Sequence, residues 1–277
     1  MISRRRARTR RFMEVAPHAL GPPPPRVLHD NRTVVVLAHD GRGTLVRALQ
    51  AGADFFVQAP NPPHLVPGQV ATLVLERRSC RRGRASVAGE LRALRVDVAA
   101  LGLPKLRLHE RGELAVDATR EEPRRAYEMD QVLPGAPEGE DPIFASIARR
   151  ERGDLTGAVA ALVGLLRRDL RCIDAHAHLG NMAFQVCAAH ARAHYEVGVA
   201  FGDHALGPDF CGVLPWSYLD NRPFLRCLHG LGLSLWRLGR MVEAARVFER
   251  LVWLNPADDQ GARQCLQDVR SERAWED

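Results

Sequence analysis

Histidine pairs in the middle of the chain have spacings that a metal ion can use. His190 and His194 are four residues apart, which places both imidazoles on one face of a helix and suits zinc. His176 and His178 are two residues apart and would point to different sides of a helix. No carboxylate accompanies either pair in an HExxH arrangement. We therefore expect packing or surface histidines, with no metal site and no cofactor.

Nucleophilic residues lack a catalytic context as well. Ser86 and Ser217 do not lie in a GxSxG elbow. The loop 41–44 lacks the GxxxxGKS/T spacing of a phosphate-binding loop. The six cysteines form no CxxC pair, which favours reduced thiols in a cytosol; they are Cys80, Cys172, Cys187, Cys211, Cys227 and Cys265. We expect no catalytic residue, and a function other than that of an enzyme.

A basic turn separates two stretches of strand-like sequence. Its arginines share one short segment, RRSCRRGR, and are Arg77, Arg78, Arg81, Arg82 and Arg84. Arginine contacts backbone phosphates without reading sequence, so the turn is a candidate contact for nucleic acid or another anion. Small barrels that bind single strands normally add exposed aromatics for base stacking. Phe55 and Phe56 are adjacent, so one points inward and the other outward. A solvated hairpin is the alternative interpretation.

The elements that would position a binding site are clearest near the end of the chain. The stretch 239–256 reads GRMVEAARVFERLVWLNP. Gly239 can adopt the left-handed conformation required between antiparallel helices. Ala244 allows close helix approach, Phe248 and Leu251 belong to an apolar stripe with helical spacing, and Pro256 ends the helix. This pattern predicts one helical hairpin with a buried face.

The same stretch resembles the second half of a tetratricopeptide repeat (TPR), a 34-residue helical hairpin with Gly, Ala, Phe and Pro at these offsets. Aligning Gly153 with Gly239 puts Ala158 opposite Ala244 and Leu162 opposite Phe248. A second unit begins near residue 173 and a third near residue 225. The resemblance implies three repeats over 142–277, an insertion at 202–221, and a capping helix over 260–270.

In the TPR family the first helices of successive repeats line a groove that holds a peptide. Carried over to this chain, the resemblance implies groove residues on the second and third repeats: Asn181, Phe184, Gln185, Arg226, His229, Leu233, Trp236 and Arg237. The partner that such repeats imply is a protein or peptide. A clamp for a terminal carboxylate is only partly matched, by Asn181 and Arg226.

The first half of the chain has a different character. Residues 1–25 combine arginines with a run of prolines and predict a disordered tail. Short β-rich runs at 33–38, 54–58, 70–76, 84–91 and 105–110 predict a small sheet or barrel over 26–116. The segment 44–52 is interpreted as a short helix. Residues 117–141 are rich in charge, Pro and Gly and predict a linker.

Composition sets the remaining limits. The 277 residues are 46% hydrophobic and carry 39 basic and 33 acidic side chains, which is typical of a globular protein. Residues 1–130 have a net charge of +9 and residues 131–277 one of −3. No apolar run approaches the roughly 18–20 residues of a membrane span.

The chain is similar to uncharacterised bacterial TPR proteins with a β-rich N-terminal region. We expect an α+β fold and a cytoplasmic, non-catalytic scaffold or adaptor, with nucleic-acid association through the basic turn as the alternative and an enzyme built around 202–221 as the lesser one.

Overall fold

The structure is a computed structural model that describes residues 32–40, 42–58, 62–81, 84–115, 122–135 and 141–276, with the backbone alone described between 76 and 86. The predicted tail 1–25 lies outside these residues. Within the described part, a five-stranded barrel precedes a two-stranded sheet and seven α-helices. The α+β class expected from the sequence is therefore confirmed.

Five strands form a closed barrel in the order β1-β2-β3-β5-β4. Every neighbouring pair is antiparallel except β3 and β5, which are parallel. The parallel pair and the antiparallel β1–β4 pair close the barrel. The strands are β1 (Arg32–Asp40), β2 (Gly43–Ala48), β3 (Asp54–Gln58), β4 (Gln69–Arg81) and β5 (Arg84–Val96).

Strand β1 is buried on both faces, which explains its uninterrupted apolar sequence TVVVLA. Val34 and Val36 belong to the interior of the barrel. Val35 and Leu37 point the other way and join the core of the helices, as the period of two in a strand requires. A strand covered on one face only would alternate with polar residues. The barrel therefore packs directly on the helical part.

Three segments differ from the sequence-based expectation. Residues 44–52, interpreted as a helix, form β2 and a turn, and β2 pairs with β1 and β3. The run at 105–110 does not join the barrel but enters β6 (Leu108–Leu114), which pairs with β7 (Arg124–Met129). Strand β7 lies inside the stretch 117–141, where its two buried residues, Ala126 and Met129, are three apart among charged neighbours and give no alternating pattern.

The second half of the chain consists of helices in consecutive pairs. Helices α1 and α2, α3 and α4, and α5 and α6 pack as hairpins, and α7 packs on α6. Gly239 turns α5 into α6 with a φ of +73°, which favours glycine. Asp154 caps α2 by accepting a hydrogen bond from the Gly157 amide. The helices are α1 (Pro142–Glu151), α2 (Leu155–Arg168), α3 (Ile173–Phe184), α4 (Ala188–Leu206), α5 (Arg222–Arg237), α6 (Met241–Leu254) and α7 (Ala262–Arg270).

The barrel approaches α4 closely at Gly68, which precedes β4. A Cβ on Gly68 would lie 2.6 Å from Cγ1 of Val197, and its φ is +88°. Glycine is therefore required there for both its conformation and its size. Buried residues of the barrel side, such as Val66 and Val98, share one hydrophobic core with the helices. The two parts of the protein are thus joined by packing.

The insertion at 202–221 ties the β6–β7 sheet to the helices. Val213 forms a parallel bridge with Ala126 of β7. The buried Asn221 donates from Nδ2 to the carbonyls of Tyr127 and Pro215, at 2.9 and 3.0 Å, and accepts from the amide of Met129 at 2.9 Å. These bonds satisfy backbone groups of β7 and of the insertion. Asn221 therefore has a structural role.

Candidate peptide-binding groove

Helices α3 and α5 lie side by side, and their C-terminal ends form one surface. Nη1 of Arg237 on α5 donates to the carbonyl of Phe184, the last residue of α3, at 2.6 Å. The same guanidinium lies over the Phe184 ring, with Cζ 5.2 Å from its centroid. Cation–π geometry at this distance is attractive. Phe184 and Arg237, predicted independently as groove residues, are therefore in direct contact.

Trp236 extends this surface and meets residues from the end of the chain. Its indole N–H donates to the carbonyl of Arg273 at 2.7 Å. Trp275 lies edge-on to both Trp236 and Phe184, with ring centroids 5.1 and 5.6 Å apart. T-shaped contacts at these distances are favourable. We call Phe184, Trp236 and Arg237 the aromatic end of the groove.

Asn181 and Gln185 lie on α3 and immediately after it, and both are exposed. Oδ1 of Asn181 accepts a hydrogen bond from the hydroxyl of Tyr195 at 2.7 Å. Burial raises the pKa of that Tyr195 hydroxyl, so it donates throughout the physiological range. Asn181 thus fixes α3 to α4, whereas Gln185 stands at the rim of the aromatic end.

Arg226 lies on α5 well before the aromatic end. Its Nη1 is 3.5 Å from Oδ1 of Asp174 at the start of α3, and its guanidinium lies 5.6 Å from the Trp216 ring centroid. His178 is the other neighbour of Asp174, at 3.6 Å. Burial raises the pKa of Asp174, and this effect exceeds the lowering by the nearby His178 and Arg226. This part of the surface is basic and aromatic, and Trp216 of the insertion covers it.

His229 and Leu233 are the two predicted groove residues that sit deeper. The His229 ring lies 6.0 Å from Phe248 of α6, and burial lowers its pKa. Leu233 is half-buried and packs against the core of the helices. The structure thus brings together Phe184, Trp236 and Arg237. Arg226 lies near the start of α5, and the His229 ring faces α6.

The basic turn lies where β4 meets β5. Arg77 and Arg78 stand opposite Ala88 and Val87 in the register of the two strands, and Arg81 stands opposite Arg84. Arg82 lies outside the described residues. The four described positions therefore belong to the end of one long hairpin, at the loop that joins the fourth and fifth barrel strands.

Histidines from both parts of the protein meet between the barrel and the helices. His39 and His64, from the barrel side, have ring centroids 6.4 and 6.1 Å from that of His190 on α4. The ring centroid of His194 lies 5.2 Å from that of His190 and 5.8 Å from that of His176 on α3. Burial lowers the pKa of His176 to about 3 and that of His194 well below its ordinary value. We call these five residues the histidine cluster.

The metal hypothesis raised by these spacings finds no ligand set in the structure. Among the described residues, no group of three or more His, Cys, Asp or Glu side chains is arranged to hold a metal ion. Cys187 lies at the edge of the histidine cluster, with Sγ 3.8 Å from Nδ1 of His64. Burial raises the pKa of Cys172 to about 12 and that of Cys227 well above its ordinary value. Both thiols therefore stay protonated and are poor nucleophiles.

Two clefts are lined by residues other than Phe184, Trp236 and Arg237. One of about 620 Å³ runs between α6 and α7 and is lined by residues such as Val252 and Arg263. Another of about 410 Å³, beside Lys105 and Asp203, lies near the end of α4. The second cleft is also lined by His204 and Arg250, and Asp203 there is held in an ion pair with Arg250. In the described part of the chain, no helix is long and apolar enough to cross a membrane.

Three residues of these sites were not predicted from the sequence: Trp275 at the aromatic end, and His39 and His64 in the histidine cluster. Trp275 is a lone large aromatic in the polar stretch SERAWED. This contrast indicates that its ring packs against another part of the protein. His39 and His64 gave no local signal, because only the packing of the barrel on α4 brings them to His190. No protein-family model and no curated protein matches the chain, so its function is argued from these contacts.

Proposed function

We propose that the protein is a non-catalytic scaffold or adaptor that binds a peptide segment of another protein in the groove formed by α3 and α5. The observation that carries the proposal is the aromatic end, where Phe184, Trp236 and Arg237 form a half-buried surface that Arg273 and Trp275 of the same chain already contact. Half-buried aromatics beside a cation are the residue types that dominate peptide and protein interfaces.

The packing of the helices supports a TPR-like array as the source of this groove. Ala158 and Ala244 are fully buried, as are Leu162 and Phe248, so the positions aligned between the two units play the same part in packing. Helix α5 packs on both α3 and α4, the arrangement by which successive helical hairpins stack. Such stacks use their first helices as a binding surface.

A photo-crosslinking residue at Gln185 tests where the partner binds. Gln185 is exposed beside Phe184, so a benzophenone side chain there should form a covalent adduct with a protein from the native lysate. The matched control is the same residue at Leu155, which is 56% exposed on α2, a helix outside the pair that forms the groove. Adducts of equal yield at both positions would show that α3 and α5 do not form the binding surface.

The double change Arg226→Ala and Arg237→Ala tests the cations of the same groove. It should reduce the Gln185 adduct by about tenfold or more, corresponding to a loss of about 1.4 kcal/mol of binding. The melting temperature should change by only a few degrees, because Arg226 makes a partly exposed ion pair and the Arg237 side chain is also partly exposed, and charged contacts near the surface contribute little to stability. If the adduct survives, the arginines do not contact the partner; if the protein unfolds, their role is structural.

Nucleic-acid association is the second candidate, and the barrel favours it. Five-stranded barrels of the OB-fold bind oligonucleotides with the loops between strands one and two and between strands four and five. In this chain the loop between β4 and β5 is the basic turn, with Arg77, Arg78, Arg81 and Arg84 on the flanking strands. A cluster of arginines at that loop suits backbone phosphates.

Removing three arginines of the turn tests this candidate. Arg78→Ser, Arg81→Ser and Arg82→Ser together should weaken binding of a single-stranded oligonucleotide and flatten its salt dependence by roughly 0.7–0.9 log units per lost contact. The control removes the same charge from the exposed end of α1 and the following turn, at Arg149, Arg150 and Arg152. Equal losses in the two triple variants, or no binding by the parent protein at low salt, would exclude a specific role for the turn.

A further inference from the structure

The segment after α7 folds back onto the groove. Glu272 has a φ of +56°, a left-handed conformation that residues other than glycine adopt infrequently. The amides of Glu272 and Arg273 donate to the carbonyls of Val269 and Asp268 at the end of α7, as in a helix-terminating turn. This turn directs residues 273–276 away from the axis of α7 and across the end of α5.

Two contacts hold the segment on the groove, and each recognises a different feature of a peptide. The Trp236 indole N–H binds the main-chain carbonyl of Arg273 at 2.7 Å. Two residues later, the Trp275 ring lies edge-on to Trp236 and Phe184, at 5.1 and 5.6 Å. Every residue has a main-chain carbonyl, so the aromatic ring supplies the selectivity.

The segment is bound as a ligand would be, more than as part of the core. Trp275 is half-buried, while its neighbours from Ser271 to Glu276 are exposed. The tether to α7 gives the segment a high effective concentration at the groove, so modest contacts are enough to keep it there. A free peptide with the same contacts must replace it to bind.

We propose that residues 271–276 are a built-in occupant of the groove, and that the partner is an extended peptide segment presenting a Trp or Phe side chain in the place of Trp275. The proposal rests on the groove function argued above and adds the chemistry of the partner and its regulation. Binding then requires displacement of the tail, so the resting protein is closed to weak ligands.

The test uses Trp275→Ala in the full chain, which removes the segment's ring from the aromatic end without altering a fully buried residue. The probe is the peptide SERAWED labelled with fluorescein, titrated to about 1 mM, the range of effective concentrations of a short tether. Fluorescence anisotropy should show that the probe binds the Trp275→Ala protein about tenfold or more tighter than the parent. The same peptide carrying Trp275→Ala should not bind.

Two further variants locate the bound probe. Adding Trp236→Phe to Trp275→Ala keeps an aromatic ring but removes the N–H donor, and should weaken probe binding several-fold. Adding Val242→Ala, which changes a 66% exposed residue of α6, should leave it unchanged. No binding to Trp275→Ala at the highest probe concentration, or equal affinity for this variant and the parent, would overturn the proposal.

These outcomes are distinguishable from failure of the groove function itself. If the Gln185 adduct forms equally in the parent and in the Trp275→Ala protein while the probe does not bind, the groove has a partner but the tail does not regulate it. If the probe binds and the Gln185 adduct is absent, the aromatic end is a peptide site whose use in the native lysate is not supported.

Discussion

Replacing Phe248 with alanine is expected to lower the free energy of unfolding by about 3–5 kcal/mol, the usual cost of removing a buried phenylalanine side chain. Phe248 is fully buried in α6. A Cβ added to Gly232 of α5 would lie 2.6 Å from its ring, so the ring fills the contact between the two helices with no room to spare. Collapse of α5 onto the cavity would require both helices to move.

Chemical denaturation of the full chain, followed by circular dichroism at 222 nm, measures this effect. The control is Val242→Ala on the same helix; Val242 is 66% exposed, so its loss should change stability by less than about 0.5 kcal/mol. A loss below about 1 kcal/mol for Phe248→Ala would show that α5 and α6 do not pack in this register.

Acidification from pH 7 to pH 5 is expected to lower the free energy of unfolding by about 2 kcal/mol through His176, and His194 adds to the loss in the same direction. Both are buried in the histidine cluster, and burial lowers the pKa of His176 to about 3 and that of His194 well below its ordinary value. The unfolded chain takes up protons near its ordinary pKa of about 6.5, so below that pH the unfolded state binds more protons than the folded one. Stability is therefore fully present above about pH 6.5 and falls as the pH drops.

The value for His176 follows because the free energy of unfolding moves by about 1.4 kcal/mol per pH unit and proton below the unfolded-state pKa of about 6.5. The variant His176→Leu separates this effect from general acid denaturation. Among the described residues, the ring nitrogens of His176 make no well-formed hydrogen bond and only a weak approach to the backbone of Leu170, so an apolar residue of similar size should be tolerated at pH 7. The variant should lose about 2 kcal/mol of the pH dependence between pH 7 and pH 5, while other histidines whose pKa is lowered by burial, such as His190 and His229, keep their contributions. Equal slopes for variant and parent would show that His176 does not remain neutral in the folded protein.

Local patterns in the sequence predict much of the helical part. The capping helix expected over 260–270 is found at Ala262–Arg270. The reason is that a helix satisfies its own hydrogen bonds and shows its buried face every three to four residues. The equivalence of Leu162 with Phe248, both fully buried, is visible in the alignment of the two turn glycines for the same reason.

Strand pairing is determined less completely. The apolar run of β1 identifies a strand buried on both faces, but nothing local distinguishes the strand at 44–48, which pairs in the barrel, from the short helix expected there. The partner of β6 is equally unpredictable from its own residues, because β7 lies in a charged stretch. A strand completes its hydrogen bonds only with another strand, so its identity depends on residues distant in sequence.

The candidate site shows the same division. The chain alone determined that α3 and α5 carry an aromatic and basic stripe, since Phe184, Trp236 and Arg237 follow from helical spacing and the repeat resemblance. Only the tertiary structure decided that Trp275 occupies that stripe and that histidines of the barrel meet those of α4. Local spacing sets which residues share a face; contacts between faces arise from packing over tens to hundreds of residues, which no local pattern records.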